Sequence, residues 1–369
     1  MHARRFSLPL ARPLGTARGE IAEREGFVVG VEPEADAVPS RGVGEATPLP
    51  GWTESLAACE RALEAAAERA SPDASPPDLD AERFSDAPAA RHAVSLARLD
   101  ADARAAGESL ADRLAASQGL PAPTDAVPVN ATVGDSDPAT TAAAAREAVE
   151  AGFRTVKVKV GARDLGADLE RLRAVRKTVD DAAETAGEAV PPRVALRADA
   201  NGAWDRETAE RALAATAAPE IDLASVEQPL PPEDLAGHAA LREGFDVGVA
   251  LDESLAAAGL DAVLSAGAAD AVVLKPMALG GPDRALSAAV RARDAGVEPV
   301  VTTTVDAVVA RTAAVHVAAA IPDVSACGLA TADLLAEDLA LDPAPAAGGA
   351  IGVPEDPGVA GEAFDDLVF

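Results

Sequence analysis

From residue 127 onward eight short apolar runs that suit strands are separated by stretches that suit helices. The runs are VPVNATV (127–133), TVKVKV (155–160), RVALRAD (193–199), DLASVEQ (222–228), DVGVALDE (246–253), DAVVLKP (270–276), EPVVTTTV (298–305) and VSACGL (324–329). Between the second and third runs, Leu169, Leu172, Val175 and Val179 recur at near-helical spacing and would cover a sheet. Strands alternating with helices predict parallel pairing through right-handed crossovers. Eight such units in roughly 200 residues fit a closed α/β barrel. An open doubly wound sheet is the alternative.

The first third has a different texture and reads as a small α+β unit. GFVVGVE (26–32) suits a strand, RGVGEATPLPGW (41–52) a Gly- and Pro-rich loop, and Glu54 to about Arg69 a helix. A connector, SPDASPPDLDAERFSDAP, precedes a second helical region at roughly 90–117. The N-terminal MHARRFSLPLARPLG carries Pro and Arg within its apolar stretch and makes a poor signal peptide. No apolar run is long enough to span a bilayer.

A net charge of −29 excludes a generally basic nucleic-acid-binding face. Cys59 and Cys327 have no metal or redox spacing and are expected to be reduced structural thiols. The chain has 32 basic residues, yet only Lys157, Lys159, Lys177 and Lys275 are lysines. An acidic, alanine-rich, lysine-poor surface suits very high salt, so the expected setting is the cytoplasm of a halophile. Lysine then survives where its proton is used, because arginine cannot release one in this setting. Lys177, on a helix face, is expected to be ordinary surface.

In a barrel of this kind the chemistry gathers at the C-terminal strand ends. The second run ends with Lys157 and Lys159, which share a face because side chains alternate with period two. The third ends with Asp199 and Asn201, the fourth with Glu227, the fifth with Asp252 and Glu253, and the sixth with Lys275. Three carboxylates on consecutive strands form an arc. Lys159 and Lys275, four strands apart in a ring of eight, face each other across the mouth. With no His or Cys beside them, the carboxylates favour Mg²⁺, with Mn²⁺ as a substitute, over zinc. Such an ion beside a substrate carboxylate would stabilise an enediolate formed by removing the adjacent proton. A free lysine, with a pKa of about 10.4, is a poor base at neutral pH. A second lysine and a metal ion nearby should lower it.

These residues resemble the enolase superfamily in its muconate-lactonizing-enzyme branch, over nearly the whole chain. That family carries K-x-K, D-x-N, E-x-P, D-E-S and K-P at the ends of strands two to six, matched here by KVK, DAN, EQP, DES and LKP. The resemblance implies a (β/α)7β barrel (126–340), an N-terminal α+β capping domain (1–125) and a C-terminal segment (341–369) packed back on the cap. Within the branch, GEATPLPGWTES, LKPMALGG and CGLATADLLAEDL look most like the dehydratases that convert 2-succinyl-6-hydroxy-2,4-cyclohexadiene-1-carboxylate to 2-succinylbenzoate for menaquinone synthesis. By carry-over, Lys159 would remove the proton alpha to the ring carboxylate and then protonate the departing hydroxyl. Lys275 would stabilise the enediolate from the opposite face, and Lys157 would support Lys159. Asp199, Glu227 and Asp252 would hold the metal, with Asn201 beside it. The implied partner is a small-molecule carboxylate, without nucleic acid or membrane; assembly as a homo-oligomer is left open.

One segment departs from the pattern. After the seventh run, Asp306, Ala307 and Ala310 stand where the family often has E-S-x-x-G, which puts substrate contacts in question. The same machinery would serve an N-succinylamino-acid racemase, a dipeptide epimerase or a muconate cycloisomerase. GLATADLL lacks the D-x-D pair expected of a dipeptide epimerase. A barrel that has lost catalysis is the remaining alternative, opposed by the complete lysine and carboxylate set. Glu253 reads either as a partner behind the ligands or as a surface acid. Gly280 and Gly281 read as backbone approaching a substrate anion or as a plain turn. Thr302 reads as barrel lining, and Trp52 as a cover over the substrate or a staple of its own loop.

Overall fold

The computed structural model describes residues 1–16, 19–31, 41–68, 79, 84–186 and 193–368. Three antiparallel strands begin the chain: β1 (His2–Thr16), β2 (Gly19–Val31) and β3 (Gly42–Ala46), paired in that order. The long edge strand β1 tolerates Pro9 by a register shift between Pro9 and Leu14, where an edge can spare ladder bonds. Against this sheet lie α1 (Leu56–Glu68) and α2 (Pro88–Ala106), followed by α3 (Leu110–Ser117). The left-handed Gly107 (φ 69°) divides the region read at 90–117 into two helices. The connector at 71–88 falls largely outside the described residues.

The sequence reading of 41–52 as a loop is corrected at its start, because Gly42–Ala46 is a fully buried strand. A Cβ at Gly42 would run into the Ala97 carbonyl of α2, and one at Gly44 into that of Ala93. Both glycines mark close approach of a helix to a strand, and neither has a positive φ.

After β4 (Ala126–Pro128) comes the barrel. Its strands are β5 (Ala131–Val133), β6 (Thr155–Lys159), β7 (Ala195–Asp199), β8 (Leu223–Glu227), β9 (Gly248–Leu251), β10 (Ala271–Leu274) and β11 (Glu298–Val301). All pair in parallel with their sequence neighbours. The covering helices are α4 (Pro138–Glu150), α5 (Leu165–Ala186), α6 (Arg206–Thr216), α7 (Leu235–Gly244), α8 (Glu253–Ala258), α9 (Leu260–Ser265), α10 (Pro276–Leu279), α11 (Pro282–Asp294) and α12 (Val308–Ala319). The segment read as an eighth strand forms only two parallel bridges, Val129 to Cys327 and Thr302 to Gly328. Those bridges suffice to close the ring, since Cys327 N donates to Pro128 O at 2.8 Å and Gly328 N to Val301 O at 2.9 Å.

Period-two alternation puts Val156, Val158, Leu196, Ala198 and Val226 outward, at 0 % exposure beneath the helices. Their neighbours Lys157, Lys159, Arg197, Asp199 and Glu227 are thereby turned into the barrel. On α5, Leu172, Val175 and Val179 are buried and Leu169 packs against them. The core is built of Val, Ala and Leu with few aromatics, so its packing rests on short side chains at close approach.

The chain end returns to the first unit. β12 (Ala346–Ala347) and β13 (Ala350–Gly352) pair with β4, and Gly358 N then donates to Glu108 O at 2.9 Å. Val359 N reaches Asp100 Oδ1 at 2.7 Å, and Arg104 pairs with Asp365 at 2.7 Å. Cys59 and Cys327 are both buried and unpaired. Among the described residues no helix is long and apolar enough to cross a membrane.

His316 on α12 ties this return together: its Nδ1 accepts from Ala111 N (3.2 Å) and its Nε2 donates to Val359 O (2.7 Å). Complete burial pulls its pKa down to about 4 from the usual 6.5. Between those values the unfolded chain binds a proton that the folded chain refuses, so stability is complete above pH 6.5 and falls on acidification. The loss by pH 4 is about 3 kcal/mol at most. Urea unfolding at pH 7 and pH 4.5 should show a smaller acid loss in His316→Gln than in the wild type. Equal losses would remove His316 as the cause.

Candidate active site

The register of the sheet lines up three side chains. Lys159 of β6 pairs with Asp199 of β7, and Asp199 with Glu227 of β8, forming one row at the C-terminal edge. Glu227 pairs with Ala250 of β9, so Asp252 stands two residues further along, just past the strand. Lys275 follows β10 directly. The residues named from the sequence at the ends of β6 to β10 therefore gather at one mouth.

Lys157 Nζ reaches forward to Glu227 (3.0 and 3.1 Å) and to Asp199 (3.1 Å). Lys159 Nζ donates to Asp199 Oδ2 at 2.7 Å and to Asn201 Oδ1 at 2.9 Å. On the far side Lys275 Nζ holds both oxygens of Asp252, at 2.6 and 2.7 Å. The two flanking lysines differ in access: the Lys159 side chain is 37 % exposed and that of Lys275 is 10 %. Of the pair, Lys159 is the one open to solvent.

Electrostatics sorts the acids. Burial opposes ionisation of Asp199, but Lys157 and Lys159 outweigh it and hold that carboxyl well below its usual range. Burial pushes Glu227 up to about 7, with the charges of Asp199 and Asp252 adding to the rise and Lys157 relieving part of it. Burial also raises Asp252, against the pull of Lys275. Lys157 is raised despite its burial, because Glu227 and Asp199 favour the ammonium. The two carboxylates thus favour its charged form.

Asn201, in the left-handed region at φ 44°, bonds to Asp199 through its backbone and to Glu253 Oε1 (3.0 Å) through its amide. Glu253 thereby orients Asn201 toward Lys159, while its buried Oε2 has no hydrogen-bond partner. Trp52 lies under Lys275, whose Nζ is 3.1 Å from the ring centroid. A cleft lined by Gly51, Trp52, Leu255, Ala256, Val273 and Leu279 opens beside Lys275 and Asp252. Sequence reading missed its apolar wall, because residues such as Leu255 and Ala256 look like ordinary helix positions.

Gly280 and Gly281 sit elsewhere in purpose. Both amides are spent on the Pro276 carbonyl (3.0 and 2.9 Å), so neither faces an anion. Gly281 (φ 148°) leaves room for Arg91 and Ser95 of α2, which bond Asp283 across the junction. Thr302 Oγ1 donates to Gly328 O at 2.8 Å, helping to close the barrel. The Asp306, Ala307 and Ala310 segment is buried beneath the N-terminal sheet: Glu45 of β3 accepts from Ala307 N (2.8 Å) and Ala310 N (2.9 Å). It is a contact between layers and not part of the cleft wall. Lys177 is 77 % exposed beside Asp181.

Among the described residues, no three His, Cys, Asp or Glu side chains already converge as a cation cage. Each of the three carboxylates is turned onto a lysine. The donor set still suits a hard divalent ion, being all oxygen from three adjacent strand ends. Burial disfavours the charged forms of Glu227 and Asp252, and a divalent ion held by them would oppose that effect.

Residues 140–366 match the family model of enolase C-terminal domain-like proteins. The chain belongs to that family. The o-succinylbenzoate synthase of Thermobifida fusca (strain YX) is 40% identical over 234 residues, covering 62% of this chain and 67% of that one. Among solved structures, the L-Ala-D/L-Glu epimerase of Bacillus subtilis superposes with a TM-score of 0.82 at 26% identity, covering 97% of both chains. The dipeptide epimerase of Enterococcus faecalis V583, complexed with Mg and L-Leu-L-Tyr, gives 0.80 at 26% identity, covering 97% of this chain and 98% of that one. The architecture is thus the (β/α)7β barrel with an N-terminal capping layer.

Proposed function

We propose that this chain is an o-succinylbenzoate synthase, a Mg²⁺-dependent hydro-lyase converting 2-succinyl-6-hydroxy-2,4-cyclohexadiene-1-carboxylate to 2-succinylbenzoate. The observation that carries the reading is the pair of lysines on opposite sides of the mouth, one half-exposed and one buried, flanking a row of three carboxylates. The identity to the Thermobifida synthase supports the choice of substrate.

Asp199, Glu227 and Asp252 would hold the ion, which when bound supplies positive charge against the substrate carboxylate. Lys159, acting from its neutral form, takes the proton alpha to that carboxylate. The C–H electron pair is delocalised into the carboxylate, and Lys275 opposes the developing negative charge from the other face. As the pair returns, the ring C–O bond breaks and Lys159 gives its proton to the departing hydroxyl on the same face, releasing water. Lys157 stays charged and keeps Asp199 and Glu227 in register. The apolar wall of Trp52, Leu255 and Ala256 suits a hydrocarbon ring better than a charged side chain.

A dipeptide epimerase would need acidic groups for the substrate ammonium on the closing segment. The stretch 327–334 carries only Asp333, which is exposed. The same lysine pair would support racemisation of an N-succinylamino acid, and assaying both substrates separates the two readings.

Glu227→Gln is expected to weaken Mg²⁺ binding at least about tenfold, measured by calorimetry without substrate. An unchanged titration would remove Glu227 from the ligand set.

A further inference from the structure

Gln228 lies between Glu227 and Pro229, and nothing in the lysine and carboxylate chemistry uses it. It is 0 % exposed and holds φ 43°, a left-handed backbone that costs a residue with a side chain roughly 1–2 kcal/mol. All of its polar groups are engaged. Its N donates to Ala250 O (2.8 Å) and its O accepts from Gly202 N (2.7 Å), joining the ends of three barrel units. Its Oε1 accepts from Asp252 N and Ser254 N, both at 3.1 Å. Its Nε2 donates to Leu230 O (3.1 Å) and Ser254 Oγ (2.8 Å).

The bond to Ser254 N has a particular meaning. Asp252 occupies the residue before α8, where an aspartate side chain usually caps its own helix. Elsewhere in this chain it does: Asp137, Asp205 and Asp234 each accept from the first-turn amides of α4, α6 and α7. Asp252 makes no such bond, and both of its oxygens go to Lys275. The amide it would have taken is occupied by Gln228 from the neighbouring strand end.

We propose that Gln228 is a positioning residue that caps α8 in place of Asp252, leaving the Asp252 carboxylate free to face the barrel mouth. The consequence for metal binding rests on the function proposed above; the position of Asp252 does not.

Gln228→Met keeps length and volume but removes the acceptor. In metal-free crystals of that variant the Asp252 carboxylate should swing from Lys275 onto the Ser254 amide, and Mg²⁺ affinity should fall at least about tenfold. Gln228→Glu keeps an oxygen at the same place, so Asp252 should stay on Lys275 and affinity should stay within about threefold of wild type. Leu241→Ala, which hollows α7 without touching the cap, should leave both readouts unchanged. The proposal is overturned by an unmoved Asp252 in Gln228→Met, by a displaced Asp252 in Gln228→Glu, or by equal loss of affinity in Leu241→Ala. If Gln228→Met does not fold, the position of Asp252 in Gln228→Glu decides. A wild type that binds no Mg²⁺ would end the metal reading instead, with Asp252 in the metal-free crystals still deciding the role of Gln228.

Discussion

Lys159→Arg is expected to lower turnover about a thousandfold or more while leaving fold and Mg²⁺ affinity near wild type. Arginine keeps the charge that balances Asp199 but does not release its proton under these conditions. Acid–base side chains contribute typically about 10²–10⁴-fold, and here one group would serve as base and then acid, so both steps fail together. Lys159 is also the accessible member of the pair, at 37 % exposure. Circular dichroism and a Mg²⁺ titration would establish that the variant is intact. Near-normal turnover in an intact variant would rule out Lys159 as the acid and base.

The second large effect is on stability. Glu45→Ala is expected to cost about 2–6 kcal/mol, read from denaturant midpoints. The residue is fully buried, and its two oxygens accept from the Ala307 and Ala310 amides at the start of α12. No side chain of α12 caps that end, so removal strands two buried donors at about 1–3 kcal/mol each. Burial, with the nearby charge of Asp306, pushes the Glu45 carboxyl up to about 7. Glu45→Gln keeps one acceptor oxygen and cannot ionise, so it should lose less than Glu45→Ala. Equal loss in both variants would show that the cap bonds are not what holds the two layers together.

The barrel was legible because its signal repeats. Period two puts Lys157, Lys159, Asp199 and Glu227 inward at successive strand ends, and a sequence carries that spacing directly. The N-terminal sheet was less legible because its residues send opposite signals. Pro9 argues against a strand that survives by being an edge with a register shift. Gly42 and Gly44 look like turn residues, yet α2 presses on them where a side chain would collide. Gly280 and Gly281 read equally as an anion approach or a plain turn, and only the fold shows that their amides are consumed by Pro276. The departure at Asp306, Ala307 and Ala310 put substrate contacts in question; in the fold the Ala307 and Ala310 amides answer Glu45, some 260 residues earlier in the chain. Gln228 could not be weighed at all from sequence, since its meaning depends on which helix end it reaches.

The central claim is a proton removed beside a carboxylate by Lys159, followed by loss of water. Its most direct test is turnover of 2-succinyl-6-hydroxy-2,4-cyclohexadiene-1-carboxylate, followed by absorbance in molar KCl with Mg²⁺, with N-succinylamino-acid racemisation run in parallel. Fast dehydration that EDTA abolishes is the predicted result. Absence of dehydration, with racemisation proceeding under the same conditions, would contradict the assigned substrate; absence of both would contradict the chemistry.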